Sequence, residues 1–559
     1  MTWTAAFAKA SAPGRGRIAA ALLVATVIAV VAFVFRFNNL GGTLGGFDND
    51  HFVHLLRADM LLHGEQPLRD FAEAELRGAW PSLGYAMSVW AQQVWGSTLL
   101  AEAYLTVGVL ALAAAGVFLL SLQLSQRWFV SLLAAACVMV SEPKLYNYEK
   151  VLVLLVGALL VHLWIVRPSY PRLAALSAWT SVAILFRHDF GVYVAVASAA
   201  ALLTRGPASI TGRARRLAAY AAITVLLLLP SIVWVQAYAG IATYAQRTLE
   251  TVQMESARTR LVRPAFETGA GLSTDNLIAA TYYAFWTIPA AALAVLVWLR
   301  RRNVLAPDAM ATGIALLVCA VAVNTFFLRG NLLARFGDAI VPVVLLAAWT
   351  AGRARPSQGY APAMLWVLPR AAMLVMLPAM FVGGEVPAEL HAAGMSQSWE
   401  ATGKQFRRAH AGLQQLPPDV WTDALSQGTL VAARYLAECT GPDDRVLLAT
   451  YAPQVPVFAR RRFAAGQGTF GLAFYESEAQ QREAVARLQQ QSVPVVIGSY
   501  EEFEGEFVAD YRHVSRYVAG RYDEAGVLNA DGRPLYRVFV ARDRVPRRIH
   551  PELGLPCFR

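Results

Sequence analysis

Charge is scarce in this chain. Of 559 residues, 16% are Asp, Glu, Lys or Arg, where soluble globular proteins average about 25%. Cysteine is scarcer still, at four, and no Cys-x-x-Cys or Cys/His spacing points to zinc. The phosphate-loop pattern Gly-x4-Gly-Lys-Ser/Thr is missing, so ATP-driven transport has no support. His-Glu-x-x-His and Gly-x-Ser-x-Gly are missing too, which removes the commonest metalloprotease and serine-hydrolase signatures. No paired helix-breaking segments recur in two halves, as transporter repeats would require.

What fills the chain instead is apolar. Hydrophobic residues make up 56% and the mean hydropathy is +0.42. That content excludes a disordered chain, and the length of the apolar runs excludes one soluble domain. A polytopic membrane protein remains. Its net charge of +11 and pI near 9.6 fit either a nucleic-acid partner or membrane topology.

A bilayer core needs about 20 apolar residues per helix. Residues 18–37 qualify, preceded by Lys9, Arg15 and Arg17 and followed by no small-residue cleavage site, so they read as an uncleaved anchor. Further runs lie near 99–124, 128–141, 151–166, 173–187, 190–204, 217–236, 277–299, 309–328, 338–351 and 363–383. The expectation is about eleven spans. The last run holds Arg370, which must snorkel. With the N-terminus inside, the cytoplasmic loops carry Lys9, Arg15 and Arg17, then Arg127, then Arg167 and Arg172. They continue with Arg205, Arg213, Arg215 and Arg216, then Arg300, Arg301 and Arg302, then Arg353 and Arg355. These are fifteen basic residues against one acid, Asp308. The alternation never breaks, as the positive-inside rule demands. The basic excess is therefore a topology signal, the remainder of the chain sums to −3, and no nucleic-acid partner is expected. The N-terminus is expected in the cytoplasm and the C-terminus on the outer face of the membrane, which the resemblance described below implies is a bacterial inner membrane.

Two domains are expected: residues 1–385 as a transmembrane domain with a long outer loop at 38–98, and 386–559 as an outer, periplasmic α/β domain. In the latter, residues 446–451, 493–497 and 536–541 are β-rich. Residues 476–491 have helical character, and Asn529-Ala-Asp-Gly532 signals a turn before the last strand. Cys137 and Cys319 sit in apolar runs as small core residues. Cys439 and Cys557 would meet an oxidising compartment and form a candidate disulfide.

The first outer loop carries the densest chemistry: Asp48, Asp50, His51 and His54, then Arg57, then Asp70, Glu73 and Glu75. A carboxylate here can take a proton from a hydroxyl, or hold a divalent cation that neutralises a phosphate leaving group. Asp50 and His54 share a face if a helix begins here. The same residues after Gly-Gly also read as ordinary turn and cap positions.

This arrangement resembles the GT-C superfamily of integral-membrane glycosyltransferases, in particular the protein O-mannosyltransferase and lipid A aminoarabinose transferase group. Asp50-His51 falls where that group carries an Asp-Glu pair, counting back from Arg57-Ala58 and Gly64. Asp48 and Asp50 satisfy the looser Asp-x-Asp form, Pro67 to Phe71 matches a Pro-x-x-Asp-Phe-like segment, and Trp80-Pro81 through Gly96 is similar to the helix preceding the second span. The family's Glu is replaced by His51. The resemblance implies a polytopic fold and a polyprenyl-phosphate-linked sugar as donor. It further implies inverting transfer to an acceptor hydroxyl on a glycan, lipid or protein, with Asp50 or Asp48 as catalytic base. A divalent cation (Mg or Mn) would be held by Asp48, Asp50 and His54.

Other outer-face residues fit the same expectation. Arg187 and His188, beside Asp189, are candidates for the donor phosphate, since a guanidinium matches phosphate oxygens bidentately; an Arg187–Asp189 structural pair is the plainer reading. Lys144 and Lys150 read as phosphate contacts or interface anchors. Arg329 and Arg335 are donor candidates by resemblance. Asp70, Glu73 and Glu75 are candidates for the acceptor or sugar, or a solvated helix face. The long loop at 237–276 mixes both charges and reads as surface or as a cover. A transporter or flippase of lipid-linked sugars, and a non-catalytic component of an envelope-polysaccharide machine, are the competing classes.

Overall fold

The structure is a computed structural model. It describes the chain except for residues 1–14, 41–46, 48, 73–76, 142–143, 206–208, 258–262, 304, 330–331, 353–362, 417–423, 472–473 and 531. Among the described residues, seven helices are long and apolar enough to cross a bilayer: Arg15–Asn39, Leu99–Ser125, Leu145–Val166, Ile210–Tyr238, Thr274–Arg301, Pro307–Phe327 and Arg335–Gly352. The pair Val367–Gly383 and Val386–Ala392, bent by 55°, adds an eighth if it is one broken span.

The count thus falls short of the eleven apolar runs for a geometric reason. Trp128–Val140 has 13 residues and Tyr170–Phe186 has 17, which at 1.5 Å per residue reach about 20 and 26 Å of a core about 30 Å thick. His188–Arg205 has 18 residues but gives up both ends to charge, at Asp189 and Arg205.

The chain divides into two compact units. The first holds Met1–Asn39, Ala74–Gly84 and Tyr104–Phe406; the second holds Leu40–Glu73, Tyr85–Ala103 and Arg407–Arg559. This division differs from the expected boundary at 385/386. Residues just past 385 stay with the first unit because Arg36 Nη1 meets Glu389 at 3.0 Å, and the buried Asn38 amide donates to the carbonyls of Ala393 and Thr402. Most of the segment 38–98 joins the second unit through polar and aromatic contacts. Glu65 pairs with both Arg445 and Arg462, Phe71 packs edge-on against Phe463, and Ala72 N–H donates to the Gly466 carbonyl.

Within the first unit, burial separates central from peripheral spans. Arg335–Gly352 is 89% buried whereas Ile210–Tyr238 is 17% buried, so the latter keeps an apolar face for lipid. Cys137 and Cys319 are buried free thiols.

The second unit contains a five-stranded sheet. Its strands are β1 (Arg445–Ala449), β2 (Arg462–Phe463), β3 (Val495–Ser499), β4 (Tyr522–Ala530) and β5 (Arg533–Ala541), in the order β2-β1-β3-β5-β4. β1 pairs in parallel with β2 and β3, and β5 runs antiparallel to β3 and β4. β1 and β3 are buried along nearly their whole length, which is why they read as continuous apolar runs rather than alternating ones. Leu447 and Val496 share a core with Phe503, Phe507, Tyr511 and Val514. The β4–β5 hairpin closes at Gly532, whose φ of +75° is open to glycine at little cost. Two short strands, β6 (Arg548–Ile549) and β7 (Pro556–Cys557), bring the C-terminus back, and Cys439 and Cys557 form a disulfide.

Candidate functional site

The candidate residues fall into two sets, one in each unit. In the second unit the organising element is the helix Asn49–Leu62. It follows a glycine-rich stretch and starts with an acid in its first turn, Asp50, where a negative charge meets the positive end of the helix dipole. Asp50 Oδ1 accepts a 2.6 Å hydrogen bond from the Tyr451 hydroxyl. Tyr451 lies just beyond the end of β1, at the carboxyl end of parallel strands where open α/β sheets place their ligands.

Along the same helix, His54 is buried and stands edge-on to Tyr85. One turn further, Arg57 receives two phenols: Nη1 donates to Tyr85 at 2.8 Å and Nη2 to Tyr475 at 3.4 Å. His51 turns to Glu102, with Nε2 3.5 Å from a carboxylate oxygen and both residues buried. Ser88 and Gln92 donate to that same carboxylate. A carboxylate is therefore present beside position 51, carried by Glu102, and a Glu at 51 would have faced a like charge there. Lower on the helix, burial pushes the Asp59 carboxyl up from its ordinary value, opposed by the His63 charge.

Asp70 is engaged locally. Its carboxylate accepts from Arg69 and from the backbone N–H of Gln66 at 2.7 Å, so it closes the turn at 66–70. Asp48, Glu73 and Glu75 lie outside the described residues. Among the described residues no group of three or more His, Cys, Asp or Glu side chains is placed to hold a metal ion. Of the three expected cation ligands, Asp50 and His54 are described and Asp48 lies outside the described residues.

In the first unit the second set gathers at the start of Leu145–Val166. Lys150 Nζ meets Asp338 Oδ2 at 3.1 Å, with both side chains almost fully buried. Arg335 approaches the same carboxylate at 3.8 Å. Arg187 caps the C-terminus of Tyr170–Phe186 in an extended conformation, which turns its side chain onto Asp189 through two bonds from Nε at 2.9 and 3.1 Å. Arg187, Asp189, Arg335 and Asp338 all act electrostatically on Lys150. Lys150 and Arg335 thus share the Asp338 carboxylate, and Arg187 holds Asp189; a buried charge is tolerated when paired, and a guanidinium is also a group that matches phosphate oxygens.

Of the residues expected to touch a donor phosphate, Lys150 and Arg335 share the Asp338 carboxylate and Arg187 holds Asp189. Lys144 instead lies over the Tyr146 ring, 5.7 Å from its centroid. His188 is bonded to the Tyr244 hydroxyl, which also donates to the Arg77 carbonyl. The side chain of Arg329 lies outside the described set.

Several contributors carry no local sequence signal. Arg77 is buried, 5.8 Å from the centroid of Phe186 beside Arg187, and Gly78 permits this approach because a Cβ there would meet the Leu185 backbone at 2.5 Å. Asp338 stands at the start of an apolar run, where nothing in the neighbouring sequence marks it as the partner of Lys150. Tyr451 sits in a stretch whose only mark was the end of a β-rich run.

No family model matches the chain, and no curated protein matches it at a significant level. Solved structures do resemble it. The crystal structure of ArnT from Cupriavidus metallidurans bound to undecaprenyl phosphate aligns with 94% of this chain and 98% of its own, at 14% identity and a TM-score of 0.48. The apo state of the same protein aligns over the same shares, at 14% identity and a TM-score of 0.45.

Proposed function

We propose that this chain is an inner-membrane glycosyltransferase that moves a sugar from a polyprenyl-phosphate donor to an acceptor hydroxyl on the outer face, with inversion. The observation that carries the reading is the Asp50 carboxylate, placed in the first turn of its helix and oriented by the Tyr451 hydroxyl at 2.6 Å. A positioned carboxylate is what a hydroxyl nucleophile needs to lose its proton during attack. In the proposed step the acceptor oxygen attacks the anomeric carbon and Asp50 takes its proton. The bond from that carbon to the phosphate oxygen breaks, and the departing phosphate takes the electron pair. Within the first unit, Lys150, Arg187 and Arg335 are the proposed contacts of the lipid phosphate. The bilayer would hold the polyprenyl tail, and the C-terminal unit would serve the acceptor, a glycan, lipid or protein.

A flippase for the same lipid would also need phosphate-binding cations. The oriented carboxylate favours transfer, because moving a lipid across a membrane requires no base. The test is deletion of the chain in its host, with mass spectrometry of envelope glycans and lipid-linked sugars. The transferase reading expects an unmodified acceptor and accumulated polyprenyl-phosphate sugar. Vesicles that take up the intact lipid without cleaving it would overturn it.

A further inference from the structure

At the outer end of Leu145–Val166 the polar accounting of the first unit does not close. Asn147 stands at the N-cap of the helix beginning at Tyr148, yet its side chain makes no capping bond. Asparagine is a preferred N-cap because its oxygen satisfies an orphan backbone N–H, usually worth about 1 kcal/mol, so this side chain forgoes its ordinary use. It is also fully buried, and among the described residues neither its oxygen nor its nitrogen has a hydrogen-bond partner.

Two further atoms share this condition. Asp338 Oδ1 and Arg335 Nε are buried without a partner among the described residues, although Asp338 Oδ2 is taken by Lys150. Asn147 lies three residues before Lys150, a spacing that puts both on one helix face. Each unpartnered buried polar group costs about 1–3 kcal/mol, and native proteins keep few of them. Lys150 links the four: Asn147 precedes it by three residues, Asp338 is bonded to it, and Arg335 reaches that same Asp338, so the unmet groups include both donors and acceptors.

A phosphate only accepts. It can answer Arg335 Nε but not Asp338 Oδ1 or the Asn147 oxygen. Hydroxyls serve both types, accepting from Arg335 Nε and donating to Asp338 Oδ1 or the Asn147 oxygen, and in a glycosyl phosphodiester the sugar hydroxyls lie immediately beside the phosphate. An ammonium could donate to Asp338 Oδ1, but it would be the third cation on a carboxylate that already holds Lys150 at 3.1 Å and Arg335 at 3.8 Å.

We propose that Asn147 and Asp338 Oδ1 form a hydroxyl-reading subsite beside the phosphate cations, selecting a donor whose sugar is neutral there over one that carries an amine. This rests on the phosphate-binding reading of Lys150, Arg187 and Arg335. It adds that the chain distinguishes the sugar as well as the lipid phosphate.

The test measures binding to the full-length protein in nanodiscs with three probes: undecaprenyl phosphate, undecaprenyl-phosphate hexose and undecaprenyl-phosphate amino-hexose. Wild type is expected to bind the neutral hexose probe about five- to tenfold tighter than the sugarless lipid, the size of one buried neutral hydrogen bond. It is expected to bind the amino-hexose probe more weakly than the neutral one. Asn147→Ala is expected to lose the hexose preference while keeping its affinity for undecaprenyl phosphate within about twofold. A preference that survives in Asn147→Ala overturns the subsite and leaves the orphan atoms to water. Tighter binding of the amino-hexose probe by wild type overturns it without relying on any variant. If wild type binds undecaprenyl phosphate but shows no sugar preference, the subsite fails and the phosphate reading stands. If it binds none of the three, both fail.

Discussion

Replacing Tyr451 by Phe removes one hydroxyl and keeps the ring, so the perturbation falls almost wholly on the 2.6 Å bond to Asp50. A hydrogen bond to a charged group is worth about 1.5–3 kcal/mol, and each 1.36 kcal/mol of barrier is tenfold in rate. The bond has two opposed effects on a base: it fixes the carboxylate's direction, and it lowers its affinity for a proton. Removing it therefore costs orientation while returning some basicity. The expected net is a fall of about tenfold in kcat, with KM unchanged within about twofold, the pattern of a group that acts on the transition state alone. The assay follows release of undecaprenyl phosphate from its sugar-linked form, with membranes of a deletion strain supplying unmodified acceptor. A Phe variant with wild-type kcat refutes the orienting role. So does a variant whose loss lies wholly in KM.

Asp338→Ala removes one partner of a buried ion pair and is expected to lower thermal stability in detergent by the equivalent of about 3–5 kcal/mol, whereas the double variant Lys150→Met/Asp338→Leu recovers most of it. Scanning fluorimetry checks both, and the double variant is expected to have lost undecaprenyl phosphate binding despite its stability. Without reductant, denatured protein is expected to expose two titratable thiols, Cys137 and Cys319, and four after reduction, by mass-resolved alkylation. Opening that bridge, which closes a sequence separation of 118, is expected to cost about 2–4 kcal/mol and to loosen the C-terminal unit first in limited proteolysis. Glu65→Ala leaves Arg445 and Arg462 facing each other without their shared carboxylate. It is expected to destabilise the second unit by about 1–3 kcal/mol, read by hydrogen exchange at β1 and β2.

What the sequence makes legible is what depends on composition or on neighbours along the chain. Apolar runs locate the helices, arginines at alternate loops mark a topology, and the buried strands β1 and β3 stand out as unbroken Val/Leu/Ile runs. β4 escapes because Asp523 and Glu524 interrupt its alternation. The site escapes for a different reason. Asp50 and Tyr451 are 401 residues apart, and Lys150 and Asp338 are 188 apart, so no local pattern can join them. Asp50, Lys150, Arg187 and Arg335 stand out as candidates in the sequence because charge at a membrane boundary is conspicuous. A tyrosine at a strand end is not conspicuous, and neither is an asparagine that fails to cap its helix. Apolar run length alone does not set the number of spans, since it registers the 13-residue helix Trp128–Val140 as readily as a 27-residue one.

The central claim is that Asp50 serves as the base. It is tested most directly by comparing purified wild type with Asp50→Asn for release of undecaprenyl phosphate from the sugar-linked lipid, alongside melting temperature and lipid-phosphate affinity. Asparagine keeps the shape and can still meet Tyr451, but it cannot accept the acceptor's proton. The account predicts unchanged folding, unchanged binding of undecaprenyl phosphate, and turnover reduced by about 100-fold or more. An Asp50→Asn protein that transfers sugar at the wild-type rate would contradict it.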